Sequence, residues 1–160
     1  MRLTALLICL SACAWAGCVQ GPKVDLRDRN FVQAGGLAVG IELPKREFAV
    51  GEQFDVSVVA RNDTRRPIAI EATTGALVYL RVLRSTTSGW EEVKRYPGSA
   101  VMLMSSWELA PRGTRTFTLH LTVEPDWPTN EPLRLTAELN GKPKVSPGIV
   151  VRVMPSSEKT

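Results

Sequence analysis

The sequence contains few of the residues on which catalysis and metal binding commonly depend. It has one histidine, His120, and three cysteines, all of which lie within the first 18 residues. A serine triad or a zinc site needs histidine or cysteine side chains brought together at one place. After Cys18 we therefore expect no catalytic triad, no metal site and no internal disulfide, and the protein is not expected to be an enzyme.

Concentrated charge is lacking as well, and the sequence after the N-terminal apolar segment shows no helical periodicity. The chain has 20 basic and 16 acidic side chains, a formal net charge of +4, and its arginines are dispersed. Proteins that bind nucleic acid commonly carry a clustered basic patch, so we expect no nucleic-acid partner. The sequence also has no glycine-rich phosphate loop and no Asp-x-Asp calcium loop, so we expect no cofactor.

A long apolar stretch occurs only at the start of the chain. Arg2 is followed by apolar and small residues up to Val19, and Gln20-Gly21-Pro22-Lys23 ends the stretch. A helix that spans a bilayer needs about 20 apolar residues, more than this stretch supplies comfortably. One positive charge before a short apolar stretch is typical of a secretory signal peptide. We expect residues 1–17 to direct export and then to be removed.

The end of this segment resembles the lipobox of bacterial lipoproteins, in which small residues precede a lipid-modified cysteine. Ala16-Gly17-Cys18 gives a signal peptide of suitable length, although Trp15 stands where the motif usually has an aliphatic residue. Leu10-Ser11-Ala12-Cys13 matches the motif more closely but leaves a very short signal peptide, and Cys13 remains the alternative. The resemblance implies that Cys18 carries a diacylglycerol and an N-acyl chain, including palmitate, which together anchor the protein to a membrane.

A lipoprotein of this kind has a predictable location and domain order. The resemblance implies a cell-envelope protein on the exported side of a membrane, with another envelope protein as its partner. Val19 and Gln20 include no aspartate, the common inner-membrane retention signal, so the outer membrane is favoured in a Gram-negative cell. We expect a flexible tether over residues 18–35, one folded domain over 36–154 and a polar tail over 155–160.

Alternating apolar and polar residues predict an all-β domain. In residues 114–123 every second side chain is apolar, from Phe117 to Val123, while threonines and His120 take the other face. Strands are predicted at residues 37–43, 54–58, 67–72, 77–84, 90–96, 101–109, 114–123, 133–139 and 149–154. Eight or nine short strands separated by Gly, Pro and Asn turns favour an immunoglobulin-like, Greek-key β-sandwich. A small barrel is the alternative, because spacing does not show whether the sheet closes.

Most of the strand residues that could take part in catalysis or metal binding have ordinary structural explanations. His120 lies on the polar face of its strand, where we expect it to be solvated. Met102 and Met104 share one strand face without a histidine beside them, so core filling is favoured over a copper site. Glu91 and Glu92 are adjacent and point to opposite faces, which argues against a shared acid–base role.

Two loops contain the candidate partner-contact residues, Tyr96 and Trp127. Glu124-Pro125-Asp126-Trp127-Pro128 combines acids, prolines and a tryptophan that either caps the core or serves as an exposed, rigid anchor. Glu124 and Asp126 are also the nearest candidates for a carboxylate pair that would act on a glycan or the cell wall. Such an enzyme would need two acids about 5 to 10 Å apart in a concave site.

Residues 48–123 loosely resemble the bacterial intracellular proteinase inhibitor family and similar immunoglobulin-like envelope domains. Val50-Gly51-Glu52 opens a strand, Asn62-Asp63-Thr64 forms a turn, and Leu109-Ala110-Pro111-Arg112-Gly113-Thr114 leads into the next strand. The resemblance implies a β-sandwich and, as an alternative function, protease inhibition through the Tyr96-Pro97-Gly98 loop or residues 124–130. The principal expectation is a non-catalytic domain with a binding or structural role.

Overall fold

The structure of the protein is a computed structural model that describes residues 30–156, except residues 101, 103, 142 and 143. Cys13, Cys18, the predicted signal peptide and most of the predicted tether lie outside the described residues. Within the described residues, no helix is long and apolar enough to cross a membrane.

The described part of the chain forms eleven strands, two more than the sequence predicts. They are β1 (Asn30–Ala34), β2 (Leu37–Glu42), β3 (Glu47–Ala49), β4 (Gln53–Asn62), β5 (Ile68–Ala72), β6 (Val78–Thr86), β7 (Gly89–Tyr96), β8 (Ser105–Leu109), β9 (Thr114–Thr122), β10 (Pro132–Leu139) and β11 (Gly148–Met154).

The strands form two larger sheets and one small one. The four-stranded sheet has the order β1-β2-β4-β9, and the five-stranded sheet has the order β3-β11-β10-β6-β7. All pairings are antiparallel except that of β3 with β11. Strands β5 and β8 pair separately. The sheets stay separate rather than closing on each other, so the predicted β-sandwich is confirmed and the barrel alternative is wrong.

The core lies between the two larger sheets and follows from the alternation of their strands. In β4, Phe54, Val56 and Val58 are buried, because every second residue of a strand points to the same face. Leu80 and Leu135 of the opposite sheet belong to the same buried cluster. The apolar surface removed from water here is the main source of stability, since the described domain contains no disulfide.

Strand β1 corrects the predicted tether, which was expected to reach residue 35. Residues 30–34 instead pair with β2, and the Phe31 ring packs over Gly40, where a Cβ atom would lie 2.8 Å from the ring. The guanidinium of Arg61 lies 5.2 Å from the centre of the same ring. A short edge strand whose two half-buried apolar residues, Phe31 and Ala34, are three apart gives no alternating pattern, which is why the sequence did not predict it.

The predicted strand over residues 101–109 is shorter in the structure and starts at Ser105. Its partner β5 ends at Ala72, which pairs with Ser105, so earlier residues have no strand of that sheet to bond. Met102 and Met104 consequently lie outside the sheet, and each is 81% exposed. The expectation that these methionines fill the core is therefore wrong.

The predicted turn at Asn62-Asp63-Thr64 is confirmed, and Asn62 connects it to a second turn. The Asn62 side chain is fully buried, and its Nδ2 donates to the carbonyl oxygens of Arg66, Leu109 and Ala110 at 2.7, 3.0 and 3.1 Å. Its Oδ1 accepts from the Thr64 backbone N–H at 2.9 Å. One amide thus joins the β4–β5 turn to the β8–β9 turn.

Candidate functional site

The structure brings together the two loops that the sequence marks as candidate contact sites. Tyr96 ends β7, and Trp127 lies in the crossover from β9 to β10. The Trp127 Nε1–H donates to the Tyr96 hydroxyl at 3.3 Å, and this hydroxyl donates to Glu124 Oε1 at 2.6 Å. Trp127 is only 2% exposed and meets Phe54 edge to face, so it caps the core. The interpretation of Trp127 as an exposed anchor is wrong, whereas Tyr96 as a partner contact stays a prediction.

Ion pairs hold the same connection between β9 and β10 in place. Lys94 Nζ lies 2.6 Å from Glu124 Oε2 and 3.2 Å from Asp126 Oδ2. The Lys94 ammonium, followed by the Tyr96 hydroxyl, holds the pKa of Glu124 below its usual range. Burial, followed by the hydrogen bond to Glu124, raises the pKa of Tyr96 to about 12. A general acid needs a raised carboxyl pKa, so these groups suit a structural role better than an acid–base pair.

The other residues considered for catalysis lie at solvated or paired positions. His120 Nδ1 is 2.6 Å from Asp55 Oδ1, and both side chains are exposed on the outer face of the four-stranded sheet, as predicted for His120. Glu91 and Glu92 bond different arginines, consistent with their pointing to opposite faces. Throughout the described ranges, no group of three or more His, Cys, Asp or Glu residues is arranged to hold a metal ion.

A cleft of about 550 Å³ lies between the small sheet and the end of β10. Gly141 makes this arrangement feasible, because a Cβ atom there would lie 2.7 Å from the carbonyl oxygen of Glu71. The Asn140 side chain fixes the loop by donating to Thr74 Oγ1 at 2.6 Å and to the Ala76 carbonyl at 2.9 Å. The cleft is therefore built by two loops that are bonded to each other.

The lining of the cleft combines apolar and charged groups. The lining residues are Ala69, Glu71, Ala72, Thr73, Met104, Glu138, Asn140, Gly141 and Lys144. Arg81 Nη2 lies 3.3 Å and Lys144 Nζ 3.9 Å from the Glu138 carboxylate. Glu71 and Glu138 both line this cleft, with Glu138 paired to these cations, and the carboxylate activity considered from the sequence stays a prediction.

Exposed methionines at this cleft are the feature that sequence reasoning missed. Met104 lines the cleft, and Met102 stands two residues before it. No local signal marks their exposure, because a continuous apolar run such as Val-Met-Leu-Met at residues 101–104 is typical of a buried strand. Large exposed apolar side chains beside a cleft are typical of a binding surface.

Comparisons with known proteins show similarity of architecture only. No family model matches the chain, and no curated protein matches it. A sporulation control protein of Bacillus subtilis is similar at 15% identity and a TM-score of 0.48, over 76% of this chain and 50% of that one. A β-glucosidase from Listeria innocua is similar at 15% identity and a TM-score of 0.44, over 74% of this chain and 16% of that one. A CARDB domain from Pyrococcus furiosus has 15% identity and a TM-score of 0.43, over 74% of this chain and 94% of that one.

Proposed function

We propose that this protein is a lipid-anchored, non-catalytic protein of the cell envelope, and that its β-sandwich binds another envelope protein at the cleft beside β5 and β8. The single observation that supports the binding role best is the exposure of Met104, which lines this cleft, together with that of Met102 two residues before it.

Anchoring is supported by the order of features along the sequence. A single positive charge, an apolar stretch and Ala16-Gly17-Cys18 precede a polar segment, which is the arrangement of a lipoprotein signal. In the sequence, residues 19–29 lie between Cys18 and the first described strand, which begins at Asn30, and they are mostly polar or charged. A domain on such a tether would work within reach of the membrane surface.

Binding is supported by the chemistry of the cleft. Methionine side chains are flexible and polarisable, so they adapt to apolar groups of different shapes and are common at binding surfaces. The charged groups beside them, Glu71 and Lys144, would supply the polar rim that surrounds the apolar centre of a typical interface. Burial of these two large, exposed apolar side chains on binding would also release free energy through the hydrophobic effect. A surface of polar groups already bonded to one another would lack this contribution.

Photo-crosslinking in cells tests this proposal. A photoreactive amino acid would replace Met102 or Met104 in the full-length lipoprotein, and Thr118, exposed on the opposite sheet, would be the matched control position. We expect the same discrete protein adduct from both methionine positions and none from position 118. The proposal fails if the methionine positions give no adduct, or if position 118 gives the same one.

A further inference from the structure

Arg134 lies on the outer face of the five-stranded sheet, between Trp90 and Gly148. Its guanidinium carbon is 5.8 Å from the centre of the Trp90 ring. On its other side lies Gly148, where a Cβ atom would be 2.4 Å from Arg134 Nε. Any larger residue at position 148 would displace the guanidinium. Trp90 of β7 and Gly148 of β11 therefore flank the side chain of one arginine of β10.

Unlike Arg81 and Arg95 of the same face, Arg134 has no carboxylate partner among the described residues. Arg81 Nη2 is 3.3 Å from Glu138 Oε2, and Arg95 Nη2 is 2.9 Å from Glu92 Oε2. Within each of these two pairs, the glutamate neutralises the charge of the arginine. A guanidinium whose charge is not matched can bind an incoming carboxylate, and its planar fork loses less side-chain entropy for each hydrogen bond formed than a lysine ammonium would.

The surroundings of Arg134 are apolar and accessible. Trp90 is 43% exposed, and Val150, the register neighbour of Arg134 on β11, is 45% exposed. Arg152 is exposed on the same face and lines a shallow depression of about 290 Å³ together with Val150. We call Trp90, Arg134, Val150 and Arg152 the Arg134 patch. Tryptophan and arginine together are the residues most enriched at the energetic centres of protein interfaces.

We propose that the Arg134 patch is a second interaction surface, separate from the cleft that Met104 lines, and that it binds an acidic and partly apolar segment of a partner protein. A carboxylate would accept two parallel hydrogen bonds from the guanidinium, the geometry for which its planar fork is suited. Apolar side chains next to the carboxylate would cover Trp90 and Val150. Because Arg81 and Arg95 are already paired with carboxylates, the positive charge on this face that has no partner among the described residues is confined to Arg134 and Arg152, which favours one discrete carboxylate over an extended anionic surface such as a membrane.

The test uses the full-length lipoprotein in a neutral detergent, labelled so that NMR reports its tryptophan indole N–H groups. Trp90→Phe assigns the Trp90 signal. The probe is a synthetic peptide in which glutamate alternates with leucine, and its matched control has glutamine in place of every glutamate. We expect the Trp90 signal to move saturably with the glutamate peptide and at least tenfold more weakly with the glutamine peptide.

Three variants separate a positioned arginine from general positive charge. Arg134→Gln and Gly148→Ala should each weaken binding of the glutamate peptide about tenfold, the second without any change of charge. Arg95→Gln removes a paired arginine of the same face and should leave binding within about twofold. The proposal is overturned if neither peptide binds, if both bind equally, or if Arg134→Gln binds as the unaltered protein does.

Discussion

Replacement of Asn62 should weaken the fold more than any other single polar substitution considered in this protein. The Asn62→Ala variant would lose the three hydrogen bonds to the carbonyls of Arg66, Leu109 and Ala110, as well as the bond from Thr64 N–H. Each such bond contributes about 0.5 to 1.5 kcal/mol, and buried groups left without partners add to the cost. We expect a loss of about 3 kcal/mol in the free energy of unfolding, or roughly 10 °C in Tm.

Urea denaturation followed by tryptophan fluorescence measures this loss, since Trp127 is buried in the native core. Asp63→Ala is the matched control in the same turn, because it removes only solvent-accessible contacts, the ion pair with Arg61 and the hydrogen bond from Gln33 Nε2, for which a much smaller loss is expected. A loss below about 0.5 kcal/mol in Asn62→Ala would refute the reasoning, since a buried amide with four backbone contacts cannot be so dispensable.

Asn62→Asp extends the same argument to pH. The new carboxylate would be buried against carbonyl oxygens, which raises its pKa in the folded state above the unfolded value of about 3.9. A carboxyl group with a raised folded pKa binds protons more tightly when folded, so stability falls as pH rises past the unfolded value. We expect Asn62→Asp to be more stable near pH 4 than near pH 7 when each is compared with the unaltered protein. The opposite trend would contradict this.

Three further predictions concern the crossover between β9 and β10. Trp127→Ala should lower the free energy of unfolding in urea by about 3 to 5 kcal/mol, because it removes a fully buried aromatic ring, and a loss under about 1 kcal/mol would show that the ring is not part of the core. An ultraviolet titration should show one tyrosine ionising near pH 12 and should lose that step in Tyr96→Phe; a step that persists in the variant belongs to another group. Because the pKa of Glu124 is lowered in the folded state, the stability that it contributes is present above its unfolded pKa and is lost as the pH falls through the folded one. Glu124→Gln should therefore show a shallower loss of stability on acidification, and an unchanged slope would exclude this contribution.

The parts of the fold that the sequence predicted are those with strict alternation. In β9, the apolar residues from Phe117 to Leu121 face inward and His120 faces solvent, as their spacing indicates. In β10, Leu133 and Leu135 are buried in the same way. A half-buried strand requires this pattern wherever it lies in a sheet, so no knowledge of its neighbours is needed.

The features that were missed depend on contacts between distant segments. Whether Trp127 is buried is decided by Phe54 and Tyr96, which lie on other strands. Met102 and Met104 are exposed because the partner strand β5 ends at Ala72, a limit that is not visible in their own sequence. Arg134 is an ordinary polar residue of β10 until Trp90 and Gly148 are brought against it. Local patterns do not contain this information.

Attachment to a membrane through Cys18 is the central claim of the proposed function, and metabolic labelling with an alkynyl fatty acid tests it most directly. The full-length protein, Cys18→Ala and Cys13→Ala would be expressed in parallel, and both the label and the membrane fraction would be followed. We expect the unaltered protein and Cys13→Ala to be labelled and membrane-bound, and Cys18→Ala to be neither. Unlabelled protein in every case, or full labelling of Cys18→Ala, would contradict anchoring at Cys18.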